Sequence, residues 1–340
     1  MIMTTHENEN QGRTGGPSRR AWLRGAGVVG GAAVLSAGAG AGLAGAGDDA
    51  PERDSGRGHE RRPTTFVLVH GTHSGGVFWT PFARELQLRG HRAIAVDQPH
   101  HGADAFVPES YQRQDLAAMA TEPSPLADLT LDDFERNVTH AVRRAARHGR
   151  VVLVGHSMGG LSVSRVAEAV PELIDHIAYM ASFCPSPAMP TLTDCMSSPE
   201  ASTAISPDAQ MIGDLGELGV IRMNWRTGNE HDLEVFKEMI CADHSDAAFR
   251  TVIGDLQTDE SVQATLDPAV GTRHRWGRIP RSYLLFTRDR MITPELQERM
   301  IREADERTPG NSFAVHDFDA SHIGPPDLSP VIDVLDRMAR

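Results

Sequence analysis

Two periodicities alternate along the chain from Thr65 onward. Phe66-Val67-Leu68-Val69 is an unbroken apolar run closed by His70-Gly71, the pattern of a short strand buried on both faces. Phe82 to Leu88 has helical spacing and stops at Gly90, a glycine placed to end a helix. Arg92–Asp97 reads as a second strand, followed by a loop with Pro99, His100, His101 and Gly102. Leu131–His148 is amphipathic, with Phe134, Val138, Ala141, Val142 and Ala145 on one face. Val151–Val154 is a third strand, and Leu161–Val170 a helix after it. Ile174–Met180, Ser282–Phe286 and Phe313–Val315 are strand candidates four to six. Strands alternating with helices predict an α/β fold, a mostly parallel sheet with helices on both faces.

Between about Pro185 and Gly277 that rhythm stops. Helical segments such as Asp232–Cys241 and Ala247–Asp255 appear, with methionines at 189, 196, 211, 223 and 239. The stretch reads as a helical insertion: either a small core of its own, or a lid whose flexible methionines adapt to apolar ligands.

The amino terminus differs from the rest. Ser18-Arg19-Arg20-Ala21-Trp22-Leu23 precedes a Gly/Ala-rich, weakly apolar run, and Ala44-Gly45-Ala46 offers a cleavage site. The adjacent arginines predict a twin-arginine-type signal over residues 1–46, hence an exported protein handled by the twin-arginine machinery. The run is too poor in strongly apolar residues for a membrane span. Residues 47–64 read as a polar linker, and 65–340 as the folded α/β domain, with the insertion at about 185–277.

The 340 residues carry 33 Lys+Arg against 46 Asp+Glu, a formal charge of −13, which argues against a nucleic-acid partner. Lys237 is the only lysine, and it stands in Glu234-Val235-Phe236-Lys237-Glu238, a helix-like stretch without glycines. Schiff-base, pyridoxal-phosphate and Walker-type phosphate chemistry each need a differently placed lysine. Cys184, Cys195 and Cys241 match no metal spacing; Cys184–Cys195 as a disulfide and free thiols both remain open. No cofactor is implied, and the oligomeric state is not legible.

Gly155-His156-Ser157-Met158-Gly159 fits G-x-S-x-G directly after a buried strand and before a helix. A serine there occupies a strained turn, exposed at the carboxyl edge of the sheet, and the flanking glycines avoid clashes as the backbone bends. Ser157 is therefore the candidate nucleophile, and it needs a base. His316 and His322 lie beyond the fifth strand; His316 falls within the sixth, whereas His322 follows in the loop Asp319-Ala320-Ser321-His322. His322 is preferred. Thr287-Arg288-Asp289-Arg290 follows the fifth strand, which makes Asp289 the orienting acid, with Asp317 and Asp319 as fallbacks. The oxyanion donors are expected to be the N–H of Met158 and, from the glycine-rich loop His70–Gly76, that of Thr72. His73, Phe78 and Trp79 are candidate pocket residues, and Phe78 and Trp79 suggest a substrate apolar on at least one side.

Phe66–Trp79, the Gly155–Gly160 elbow, Ser282–Gln297 and Asp319–His322 together resemble the α/β-hydrolase superfamily. Within it they resemble the branch of plant methylesterases, hydroxynitrile lyases and related bacterial esterases. The resemblance implies a Ser157–His322–Asp289 triad with Thr72 and Met158 at the oxyanion hole. It implies hydrolysis of a small-molecule ester through an acyl-enzyme, with thioesters and lactones open to the same residues. The lyases of this branch carry a lysine directly after the histidine and a threonine where Gly71 stands. Here Ile323 follows His322, so the cation for departing cyanide is missing. Two other classes compete: a metal site built from His70, His73, His100, His101 and Asp97, and a non-catalytic binding protein on the same fold.

Overall fold

The computed structural model describes residues 63–340. The expected signal at 1–46 and nearly all of the expected linker at 47–64 lie outside the described residues. Six strands form one sheet: β1 (Thr64–Val69), β2 (Arg92–Val96), β3 (Arg150–Ser157), β4 (His176–Ser182), β7 (Arg281–Phe286) and β8 (Ala314–Phe318). Their spatial order is β2-β1-β3-β4-β7-β8, and every pair is parallel. Thr64, assigned to the linker by pattern, is the first residue of β1.

Alternation along the inner strands divides the core in two, because successive side chains point to opposite faces. Val67, Val69, Val151, Leu153, Ile177, Tyr179 and Tyr283 enter one apolar cluster. Their neighbours Phe66, Leu68, Val152, Val154, Ala178, Met180 and Leu284 enter the other. The first face is covered by α2 (Leu131–Ala146), α3 (Gly159–Ala169) and α6 (Pro294–Arg307). The second is covered by α1 (Thr80–Leu88) and α7 (Ser329–Met338). Thr130 starts α2 by donating its N–H to the Asp133 carboxylate at 2.9 Å, satisfying one of the donors a helix start leaves free. Gly90, just past α1, has φ +87°, the left-handed conformation glycine adopts without a steric penalty. The edge strands β2 and β8 are largely exposed, which is why His316 and Asp317 sit in a strand.

The insertion between β4 and β7 is helical only in part. It contains α4 (Glu230–Ile240) and α5 (Asp246–Asp255), and also β5 (Val220–Arg222) paired antiparallel with β6 (Asp259–Ser261). These three-residue strands lack the length that makes a period visible. Arg222 holds the pair together: its Nε and Nη2 each donate to Asp259 at 2.7 Å, and its Nη1 donates to the carbonyls of Met119 and Glu122. The insertion has its own core of Met223, Trp225, Phe236, Met239, Phe249 and Ile253, against which Met291 and Ile323 of the main body pack. Of its methionines, Met189 belongs instead to the main core.

Cys184, Cys195 and Cys241 are free and buried. Burial pushes their thiols up to about 11, 12 and 12 respectively, so they are structural groups rather than nucleophiles. No helix among the described residues is long and apolar enough to cross a membrane.

Candidate active site

β3 runs directly into the elbow. Ser157, its last residue, has φ +54°, a left-handed conformation that costs a non-glycine residue energy. The glycines around it are dictated by contacts. A Cβ on Gly155 would lie 2.7 Å from Val163 Cγ2, and one on Gly159 would lie 2.6 Å from the carbonyl oxygens of both Val69 and His70. The Ser157 carbonyl accepts from Ser182 Oγ at 2.7 Å and from the Phe183 N–H at 3.1 Å, which locks the turn against β4.

The loop after β1 is pressed against the same serine. A Cβ on Gly71 would stand 2.6 Å from Ser157 Cβ, so this position tolerates only hydrogen. His70 fixes the loop's start: its Nε2 accepts the Gln98 N–H at 3.1 Å, which leaves Nδ1–H to donate to the Gly71 carbonyl at 2.8 Å. Burial, with His101 adding to it, pushes His70 down to about 4, so the ring is neutral. Thr72 Oγ1 lies 3.5 Å from Met158 Sδ, bringing the two expected oxyanion residues side by side. Neither the Thr72 nor the Met158 N–H donates to an acceptor within the described residues.

His322 and Asp289 meet. His322 Nδ1–H donates to Asp289 Oδ2 at 2.7 Å, and both residues are buried. Asp289 Oδ1 accepts the N–H groups of Met291 at 2.8 Å and Ile292 at 2.9 Å, so the carboxylate is fixed before it meets the ring. The fallback Asp319 is exposed and faces Arg288, and His316 lies on the edge strand. Ser157 and His322 line one cavity, without a hydrogen bond between hydroxyl and ring; such bonds are commonly loose in unliganded sites.

One positioning group was invisible in the sequence. His156 Nε2–H donates to the His322 carbonyl at 2.9 Å, and its ring stacks on Phe78 with centroids 4.4 Å apart. Burial, reinforced by nearby His322, holds His156 well below the usual histidine range, so it is neutral and does not compete as a base. It occupies a variable position of G-x-S-x-G, where the motif carries no constraint.

The cavity holds about 570 Å³. Phe78, Trp225, Met239, Ile240, Leu256 and Ile323 supply apolar walls, and His73 lines it as expected from the pattern. Trp79 does not. It is fully buried, packed edge-on against Phe78 and Phe82, because the turn at Gly76–Trp79 directs it into the sheet's second core. Among the insertion's five methionines only Met239 reaches the cavity.

The five residues of the alternative metal site do not assemble into one. His70 is committed on both nitrogens, and His101 Nδ1–H donates to the Pro99 carbonyl. Asp97 accepts the N–H groups of Gly76 at 2.6 Å and Ala103 at 3.2 Å. The described residues contain no cluster of three or more potential ligands.

Residues 66–337 match the alpha/beta hydrolase family. The chain belongs to that family. Esterase PIR7B of Oryza sativa subsp. japonica is 25% identical over 256 residues, spanning 69% of this chain and 82% of that protein. Salicylic acid-binding protein 2 of Nicotiana tabacum is 30% identical over 121 residues, covering 35% of this chain and only 40% of its own length. Among solved structures, an extracellular alpha/beta-hydrolase from a Paenibacillus species covers 82% of this chain and 100% of its own, with TM-score 0.57 and 20% identity. The pyrethroid hydrolase from Sphingobium faniae covers 81% and 97%, with TM-score 0.61 and 21% identity. These structures share the fold of this family member: a parallel sheet between helices.

Proposed function

We propose that the protein is a serine carboxylesterase acting through an acyl-enzyme. The observation that carries this reading is the buried His322–Asp289 hydrogen bond of 2.7 Å, sharing one cavity with Ser157 on its strained turn. His322 Nε2 takes the Ser157 proton as Oγ attacks the ester carbonyl, and Asp289 orients the ring and stabilises its charged form. The N–H groups of Thr72 and Met158 bind the oxyanion, each contributing about 3 kcal/mol to the transition state. The imidazolium protonates the departing alcohol, and the same nitrogen then activates water to release the acid. The apolar walls favour an ester with at least one hydrophobic side, consistent with relatives named as esterases. The signal-like residues 1–46 make it an exported enzyme of the twin-arginine class.

The test is covalent labelling of the protein by a fluorophosphonate, together with turnover of nitrophenyl acyl esters, thioesters and lactones. Labelling and ester turnover are expected in the wild type, and Ser157→Ala should lose both, with kcat falling by about 10⁶. A protein that neither labels nor turns over any acyl compound is a binding protein, and the esterase reading is then wrong.

A further inference from the structure

A buried pair of ionisable groups, Glu260 and His101, lies outside the candidate triad and the walls of the cavity. Glu260, in the middle of β6, is 1% exposed, and His101, in the loop after β2, is 0% exposed. Glu260 Oε2 lies 3.3 Å from His101 Nε2, within ion-pair distance when the ring is protonated. The same oxygen accepts the His73 N–H at 3.3 Å, and Oε1 accepts the Ser261 N–H at 3.0 Å. Glu260, Gly71 and Met158 line one small pocket of about 10 Å³, so Glu260 borders one of the two expected oxyanion residues, Met158, and the glycine that precedes the other, Thr72.

His73 is the residue after Thr72, and it has φ +56°, held only by its surroundings. Segment 257–260 provides them. The Gln257 N–H donates to the His73 carbonyl at 2.7 Å, His73 Nδ1–H donates to the Gln257 carbonyl at 3.1 Å, and Glu260 takes the His73 N–H. The Thr72–His73 peptide is thus clamped by the insertion rather than by its own strand. Such a clamp has an electrostatic cost: an uncompensated carboxylate here would repel the negative charge that develops on the substrate oxygen.

We propose that Glu260 is a positioning residue for the Thr72 donor, and that His101 supplies the countercharge that keeps the Glu260 carboxylate from opposing the oxyanion. The proposal rests on the esterase reading of Ser157. Burial opposes a charge on His101, but the facing Glu260 outweighs it and holds the imidazole above the usual histidine range. The other ionisable groups facing the pair do not replace it. His70 and His73 are neutral through burial, Asp97 is occupied by two backbone N–H groups, and Asp259 is taken by Arg222.

The experiment measures kcat and KM of the full chain for one nitrophenyl ester between pH 6 and 9.5, in wild type, H101Q, E260Q and the double variant. H101Q leaves a bare carboxylate, and kcat should fall about tenfold with KM little changed. E260Q keeps an oxygen for the His73 N–H without the charge, and its kcat should fall less than that of H101Q. The double variant should recover most of the loss seen in H101Q, which simple damage to packing would not allow. Wild-type kcat should decline on the alkaline side as His101 loses its proton, and E260Q should lack that decline. H101Q equal to wild type, or a double variant as poor as H101Q, overturns the proposal. If H101Q does not accumulate, the E260Q profile decides: an unchanged alkaline decline overturns the proposal, and its loss supports it. A wild type that takes no fluorophosphonate label shows that the esterase reading has failed, and the proposal with it, before any variant is compared.

Discussion

Gly71 is a demanding position of the site, because a side chain there would run into Ser157. Gly71→Ala would place a methyl 2.6 Å from Ser157 Cβ, both held by backbone that the neighbouring glycines already crowd. We expect kcat and the fluorophosphonate labelling rate to fall by about 10²-fold, the scale of a misplaced reacting group, while the far-ultraviolet circular dichroism stays native. Labelling at the wild-type rate would show that the loop gives way. The threonine that lyases of the resembling branch carry here would meet the same crowding. Residues of this kind were legible in part. Ser157, Asp289 and His322 follow from strand order and loop position, since Ser157 ends a strand and the other two lie just beyond one. His156 and Glu260 were not legible: their partners, the His322 carbonyl and the His73 N–H, are backbone atoms 166 and 187 residues away. Trp79 was misplaced for a related reason, as an aromatic side chain looks the same in a sequence whether it faces a ligand or a core.

At the scale of elements, the insertion is tied to the loop that carries His322. Asp243, between α4 and α5, accepts the Ser321 N–H at 3.0 Å and the Ser321 hydroxyl, and pairs with His244 at 2.8 Å. The Ile323 N–H donates to the Ile240 carbonyl at 3.2 Å. His322 is therefore bracketed on both sides by bonds to the lid-like segment. Asp243→Ala should raise KM and lower kcat together, roughly fivefold each, as expected when a covering element loses its anchor. The same change should speed tryptic cleavage at Lys237 or Arg250, which lie on α4 and α5. Cleavage and kinetics identical to wild type would mean that the apolar core around Trp225 and Phe236 holds the segment by itself. The main elements were readable because helices of nine or more residues and buried four-residue runs show their period. The β5–β6 pair was not, since three residues carry no period and its stability comes from Arg222 and Asp259.

For the whole molecule, several buried histidines set the response to acid. Burial pushes His70, His73 and His176 down to about 4 and holds His156 well below the usual histidine range, so the unfolded chain binds protons that the native state refuses. Their contribution is present above pH 6.5 and is lost as the pH falls from there toward 4. His70 and His73 alone would forfeit roughly 3 kcal/mol each once fully titrated. His101, raised by Glu260, acts with the opposite sign: its contribution is present at low pH and is lost as the pH rises through its native value. The melting temperature should therefore drop steeply between pH 6.5 and 4.5, and the H70Q variant should show a shallower drop. A melting temperature flat across that window would mean that these rings are charged in the native state.

The sequence by itself determined the α/β architecture and the placement of Ser157, Asp289 and His322 at the carboxyl ends of strands. Each depends on local period, turn chemistry or chain order, which are properties of neighbouring residues. Only the tertiary structure decided which aromatic residues face the 570 Å³ cavity, that Asp289 rather than Asp319 meets His322, and that Glu260 of the insertion accepts the His73 N–H. Those are contacts between segments far apart in the chain. Burial and direction set their chemistry, and neither exists until the sheet has closed against its helices.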